Sequence, residues 1–313
     1  MATAHDSLEP PQRLVRTLSS DPAYGEAAHR WLAELQHTAR ECLARWELTP
    51  ERVQTPGGRT SMVVLVRRPD GTPAALKLCL PDGSAALEHA ALAHWDGRSA
   101  VRALDVDAPA GALLLERLHG DVSLRSLAEA KAQLEAAATL QRLWVPPPAD
   151  GHPFPTVTDH TTASARVLRE YREQPWAADA RALLDEALEL QGALVAEPPA
   201  GEPAVLLHGE YHQGNVLAAD RSPWLAVAPR PLVGERAYDL AWLVRDRLDT
   251  LLASPGAAAA ARRRVSKLAE SLDVDAERLR GWTLFRTALA GAHQLSLGAR
   301  GQGELLLEFA GLL

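Results

Sequence analysis

One stretch constrains this chain more than any other. It is residues 205–240, VLLHGEYHQGNVLAADRSPWLAVAPRPLVGERAYDL. An apolar run, 204–207, leads into a polar loop, His208-Gly209-Glu210-Tyr211-His212-Gln213-Gly214-Asn215, and a short apolar hairpin follows, 216–217 and 224–228. Buried strand ends on both sides would hold such a loop and turn Glu210 and Asn215 together into a cleft. An acid and an amide a short loop apart suit phosphoryl transfer: one places the attacking oxygen, the other holds a cation. His208 and His212 sit four apart, but they bracket a loop instead of sharing a helix face. No third ligand stands nearby, which argues against zinc.

With 313 residues and 47% hydrophobic content, the chain can fill the core of one large domain or two lobes. Its net charge of -7 lacks the basic footprint of a general nucleic-acid binder. Two cysteines, Cys42 and Cys79, are too few for a disulfide framework or a zinc site. They read as buried free thiols in a reducing compartment. The first residues show no secretory pattern, and no apolar run approaches the ~20 residues that span a bilayer. The expectation is a cytoplasmic protein with a small-molecule substrate, acting on neither nucleic acid nor membrane.

Residues 1–9 read as a frayed start. Asp21-Pro22 signals a helix start, and Trp31, Leu35, Cys42 and Trp46 recur at helical spacing. The period then changes. Residues 61–66 and 74–80 read as strands joined by the turn Pro69-Asp70-Gly71. Just ahead lies Thr55-Pro56-Gly57-Gly58-Arg59. Gly57 and Gly58 would let the backbone approach phosphates closely, although such a pair alone also reads as a simple turn. Lys77 sharpens the reading, because an ammonium inside an apolar strand needs a partner. Glu88, on the next helix at 84–95, could reach it. In kinase-like folds a strand lysine paired with a helix glutamate grips the nucleotide's phosphates; the alternative is an edge-strand lysine in solvent. Strands at 101–107 and 112–117 follow. Helices are then expected at 121–145, with Leu134 in the buried stripe, and at 159–174, 176–196, 236–253, 258–271 and 276–298, with a short one from 304.

The loop and hairpin resemble the catalytic segment of the aminoglycoside phosphotransferase family, in particular its streptomycin and hydroxyurea kinase branch. That pattern reads H-G-D-x-H-x-x-N, then W-L-A-I-D-P-K-P, then G-D-x-A-Y-D-L-A. The resemblance implies an α+β, protein-kinase-like two-lobed fold, with a small β-rich lobe at 1–118 and a larger helical lobe at 119–313. It implies a hinge strand ending at Glu116–Leu118, whose backbone would meet the adenine edge. His208 and His212 would brace the loop, Asn215 would be the amide ligand to magnesium, and Asp239 would pin the loop through its backbone. ATP and magnesium are the cofactors it implies.

Two positions depart from the pattern. Glu210 stands where the catalytic Asp is expected, and Ala228 stands where the metal-binding Asp is expected. Glutamate is a competent base, but its extra methylene moves the carboxylate by about an ångström, a displacement to which reactivity is sensitive. Alanine binds no metal. Three readings stay open. The fold is repurposed, with a small metabolite in the interlobe cleft and weak or absent phosphoryl transfer. Or the chain is an ATP-dependent kinase of aminoglycoside-type alcohols carrying an engineered, inactivating substitution at Ala228. Or it is a non-catalytic binding or regulatory pseudokinase. Trp242, Arg245, Asp246, Arg286 and His293 are candidate substrate-lining residues, each equally readable as packing or surface.

Overall fold

A computed structural model describes residues 8–313. The frayed start expected at 1–9 falls, for residues 1–7, outside the described residues, while Leu8 is buried in the N-terminal core. Helix α1 (Gln12–Ser20), which the sequence reading missed, precedes α2 (Gly25–Arg45). Between them Asp21 accepts the Ala23 N–H at 3.0 Å and opens a 3-10 turn, Pro22–Tyr24, so the start signal is used for a turn rather than directly for the helix. Strands β1 (Thr49–Val53), β2 (Ser61–Arg67) and β3 (Pro73–Cys79) follow, then α3 (Ser84–Trp95), β4 (Ala103–Asp107), β5 (Ala112–Glu116) and β6 (His119–Ser123). Helices α4 (Glu129–Leu143), α5 (Val157–Arg172) and α6 (Arg181–Ala196) lead to β7 (Val205–Leu207), β8 (Val216–Ala218), β9 (Trp224–Ala226) and β10 (Leu232–Gly234). The chain ends in α7 (Arg236–Val244), α8 (Leu248–Leu252), α9 (Ala257–Leu272), α10 (Ala276–Ser296) and α11 (Arg300–Ala310).

The chain divides into two compact units. The first comprises residues 1–123 together with 217–230, and the second comprises 124–216 and 231–313. The first therefore runs past residue 118 and takes back a hairpin from the middle of the chain. Its main sheet is antiparallel, in the order β1-β2-β3-β5-β4. Alternate residues Met62, Val64, Val66, Leu76 and Leu78 pack with Trp31, Leu35, Ala39 and Cys42 of α2. This is the period-2 pattern of a half-buried strand meeting the 3.6-period stripe of a helix. Strand β1 escaped the sequence reading because TPERV carries a proline and two charges; it stands at the sheet edge, where both are tolerated. A second sheet orders β6-β8-β9.

The second unit is helical around one small sheet, in which β7 pairs antiparallel with β10. The helix expected at 121–145 begins only at Glu129, since 119–123 pairs as β6 with β8. Leu134 is 69% exposed; the small residues Ala132, Ala136 and Ala137, with Leu140 and Leu143, face the core instead. The single helix expected at 236–253 is broken at Arg247, which adopts a left-handed φ of 54°. Cys42 and Cys79 are both buried and free. No described helix is long and apolar enough to cross a membrane.

Candidate active site

In the first unit, Lys77 sits mid-strand, opposite Val63 of β2 and Leu113 of β5. It shares a sheet face with Ala75 and Cys79, opposite in sense to Leu76 and Leu78. Its Nζ donates to Glu88 Oε2 at 2.5 Å, and both side chains are buried. Burial alone pulls the ammonium down, but the Glu88 charge and hydrogen bond outweigh it and hold Lys77 above its ordinary value. Glu88 Oε1 is buried and has no hydrogen-bond partner among the described residues. Gly57 and Gly58 lie in the β1–β2 connection. Gly57 has φ 72°, and a Cβ there would meet Pro11 Cγ at 2.8 Å; one on Gly58 would meet Ser61 Oγ at 2.9 Å. Both glycines are thus required by the loop's own packing. Glu116 closes β5, where its carboxylate takes the Arg102 N–H at 2.7 Å and the guanidinium of Arg221. Arg221, on the β8–β9 turn, also donates to Gly97 O at 2.7 Å and Ala100 O at 2.6 Å. Sequence reasoning missed it.

Beyond β9 the backbone is tied down by Ala226, whose N–H donates to Ser99 O at 2.8 Å and whose carbonyl accepts from Val101 at 2.9 Å. Two residues on, Ala228 is half-buried with φ 55°. That left-handed conformation is costly for alanine and is far commoner for Asp and Asn. Position 228 therefore holds a backbone conformation that alanine seldom adopts.

In the second unit the loop after β7 is fastened at both ends by buried acids. Asp239 of α7 accepts from His208 N and Gly209 N, each at 2.8 Å, and from Trp144 Nε1 at 3.3 Å. Asp246 accepts from Gln213 N at 2.7 Å and from Arg125 at 3.5 Å. Burial raises both carboxyls above their ordinary value, against the pull of those backbone donors. Arg286 of α10 donates to Gly209 O at 2.6 Å and Tyr238 O at 2.7 Å, and stacks 4.1 Å from the Tyr238 ring centroid. Arg247 reaches Gln213 Oε1 at 2.9 Å and Leu127 O at 2.8 Å. Arg264 donates to Val244 O and Asp246 O and pairs with Glu129. Asp246 and Arg286, expected to line a substrate site, thus hold the loop's backbone, and Arg247 and Arg264, which sequence reasoning missed, brace its support. Side chains that bond main chain leave no spacing signal. The exception is Asp239 with Asp246: acids two helical turns apart beside the loop motif were a readable clue.

Within the loop, His208 is buried edge-on to Tyr211, whose hydroxyl donates to Ala136 O at 2.8 Å. His212 Nδ1 accepts the Gly214 N–H at 3.0 Å and starts the 3-10 turn that carries Asn215. Asn215 Nδ2 donates to the carbonyl of Glu210 at 3.0 Å. One of the amide's two N–H groups is used there, and its oxygen remains an acceptor. The half-buried Glu210 lies near enough for its charge to act on Arg286 and Tyr238. Trp242 carries the Arg245 guanidinium at 3.5 Å and the His212 ring at 5.8 Å. Its buried Nε1 has no hydrogen-bond partner among the described residues. His293 stands apart from the loop, bonding Tyr171 Oη at 2.9 Å. The second unit thus gathers Glu210, His208, His212, Asn215, Trp242, Arg245, Asp246 and Arg286. The first unit gathers Lys77 with Glu88.

A lysine–glutamate pair on a small antiparallel sheet, and an acid-and-amide loop pinned to the following helix, define the kinase-like phosphotransferase class. Solved structures agree on the fold. An aminoglycoside phosphotransferase in ternary complex with ADP and hygromycin B matches with a TM-score of 0.60 at 17% identity, covering 87% of this chain and 96% of that one. Another, from Streptomyces rimosus with ADP and streptomycin, matches at 0.53 and 18%, covering 84% and 98%. More specifically, residues 45–298 match the family described as aminoglycoside/hydroxyurea antibiotic resistance kinase, and the chain belongs to it. It is 37% identical over 290 residues to a streptomycin 6-kinase of Streptomyces griseus, covering 91% of this chain and 90% of the relative. It is 38% identical over 272 residues to a hydroxyurea phosphotransferase of Kitasatospora aureofaciens, covering 84% and 74%.

Proposed function

We propose that this chain binds a nucleotide and a hydroxyl-bearing small molecule of the kind its relatives are named for, and that it transfers the phosphoryl group weakly or not at all. The observation that carries this reading is Ala228: a methyl on a left-handed backbone, where the family pattern has a carboxylate. The pinned loop supports the substrate side. On this reading Glu210 would receive the hydroxyl proton while the substrate oxygen bonds the terminal phosphorus and the bond to the departing ADP oxygen breaks. Magnesium fits the donor set poorly. By the family pattern position 228 would supply a carboxylate to a cation of this kind, and alanine supplies no oxygen. No step is assigned to it. Without that ligand, several kcal/mol of transition-state stabilisation is absent.

The test is transfer of labelled γ-phosphate to streptomycin and to hydroxyurea, with magnesium, by the wild type, Ala228→Asp and the double variant Ala228→Asp with Glu210→Asp. The expected result is little or no wild-type product and a gain of about a hundredfold or more in the double variant. Robust magnesium-dependent turnover by the wild type would overturn the proposal. Glu210→Gln separates a repurposed enzyme from a binding module, since only an enzyme converting its bound metabolite would lose an activity.

A further inference from the structure

In the second unit, α10 is buried over most of its surface. Residues 281–285, 287–288 and 291–292 are buried, while Arg286, Leu289, Ala290 and His293 are half-exposed. Those four recur at helical spacing and so share one face. This stripe starts at the candidate loop, because Arg286 donates to Gly209 O at 2.6 Å, one residue from Glu210. It reaches His293 about 10 Å further along the axis. Helix α5 follows the same line. At the near end its His160 meets Tyr238, the ring on which Arg286 stacks, with centroids 6.3 Å apart. At the far end its Tyr171 Oη bonds His293 Nδ1 at 2.9 Å, and the Tyr171 ring stands 5.9 Å from that of Trp176. Val167 falls on the face of α5 that carries His160 and Tyr171. Among the described residues of the second unit, the exposed large hydrophobic side chains are Leu134, Val167 and Trp176. Two of the three thus border one stripe, and apolar surface gathered in one place marks a contact site.

Resting on the reading of a hydroxyl-bearing substrate above, we infer that Trp176, Tyr171 and Val167, with His293, form a subsite for a second ring of that substrate. The chain then takes an extended, multi-ring compound, with its reacting hydroxyl at Glu210 and a further ring lying on Trp176. The chemistry suits a ring. An indole and a phenol offer flat apolar faces that lose little conformational freedom on contact, and the bond between Tyr171 and His293 fixes two of the rings against each other. Ligand sites pair such apolar surface with a few placed polar groups, here the edge of His293. Two turns of α10 separate this end from Arg286, so a urea-sized molecule held at Glu210 ends well short of it. The stripe therefore discriminates between the two kinds of compound for which the relatives are named.

The experiment is NMR titration of the full chain with streptomycin and with hydroxyurea, on the wild type, Trp176→Ala and Trp176→Phe. The Trp176 indole N–H is the reporter, assigned by its loss in Trp176→Phe. Trp176 is exposed, so unchanged melting of the unliganded variants checks that they fold. The expected result is that streptomycin shifts the reporter and hydroxyurea leaves it in place. Trp176→Ala should weaken streptomycin about tenfold, and Trp176→Phe, which keeps a ring, should restore most of that loss. Hydroxyurea binding without streptomycin binding overturns the inference while leaving the substrate reading intact. Streptomycin binding that neither moves the reporter nor responds to Trp176→Ala does the same. Binding of neither compound overturns the substrate reading itself, and the inference with it.

Discussion

Cys79 shows what a single residue inherits from its place beside Lys77. Burial pushes its thiol up to about 11, even though the Lys77 charge draws it down. The unfolded thiol ionises near 9.0 and the folded one only near 11, so the unfolded state binds fewer protons between them. The sign follows: stability falls as pH rises through that interval. Alkylation by iodoacetamide followed by mass spectrometry should leave native Cys79 unmodified at pH 8 and label it readily in urea; rapid native labelling at pH 8 would contradict the buried placement. Residues of this kind differ in how far the sequence betrays them. The Lys77–Glu88 pair was readable, because an ammonium in an apolar run has to find an acid. The left-handed backbone at Ala228 was not, since alanine gives no sign of positive φ. The roles of Asp246 and Arg286 were unreadable for another reason: polar residues near a motif suggest a ligand, while the groups they bind here are backbone N–H and carbonyl.

At the scale of elements, the candidate loop is a product of its neighbours. Strands β7 and β10 fix its entry, α7 presents Asp239, and the break before α8 brings Asp246 and Arg247 under Gln213. The β strands at 61–67 and 73–79 were legible from alternation and the turn between them, whereas β1 and β6 were not, being short, polar and dependent on partners distant in sequence. Replacing Asp239 with Ala leaves two buried backbone donors, His208 and Gly209, without their acceptor. Urea unfolding should show a loss of about 2–5 kcal/mol, with Asp239→Asn intermediate because an amide oxygen still serves one donor. An Asp239→Ala protein as stable as the wild type would mean the loop is held by other means.

For the whole molecule, the decisive fact is that the first unit is discontinuous. A fragment ending at residue 123 lacks β8, β9 and Arg221, so β6 loses its partner and Glu116 its guanidinium. Expressed alone, residues 1–123 should give poorly dispersed amide NMR spectra and non-cooperative melting, and adding 217–230 through a short linker should restore dispersion. A well-folded 1–123 fragment would show that the returning hairpin is dispensable. The family motif made the fold class legible across both units, but a cut placed by motif order alone could not show a segment going back.

The returning hairpin also sets a schedule for synthesis. As the chain leaves the ribosome, residues 1–123 emerge with β6 unpaired, and 124–216 must all be made before 217–230 can complete their sheet. At about 5–20 residues per second that interval is on the order of ten seconds. A nascent N-terminal unit waits that long with β6 lacking its partner, which ties the completion of one unit to the translation of the other.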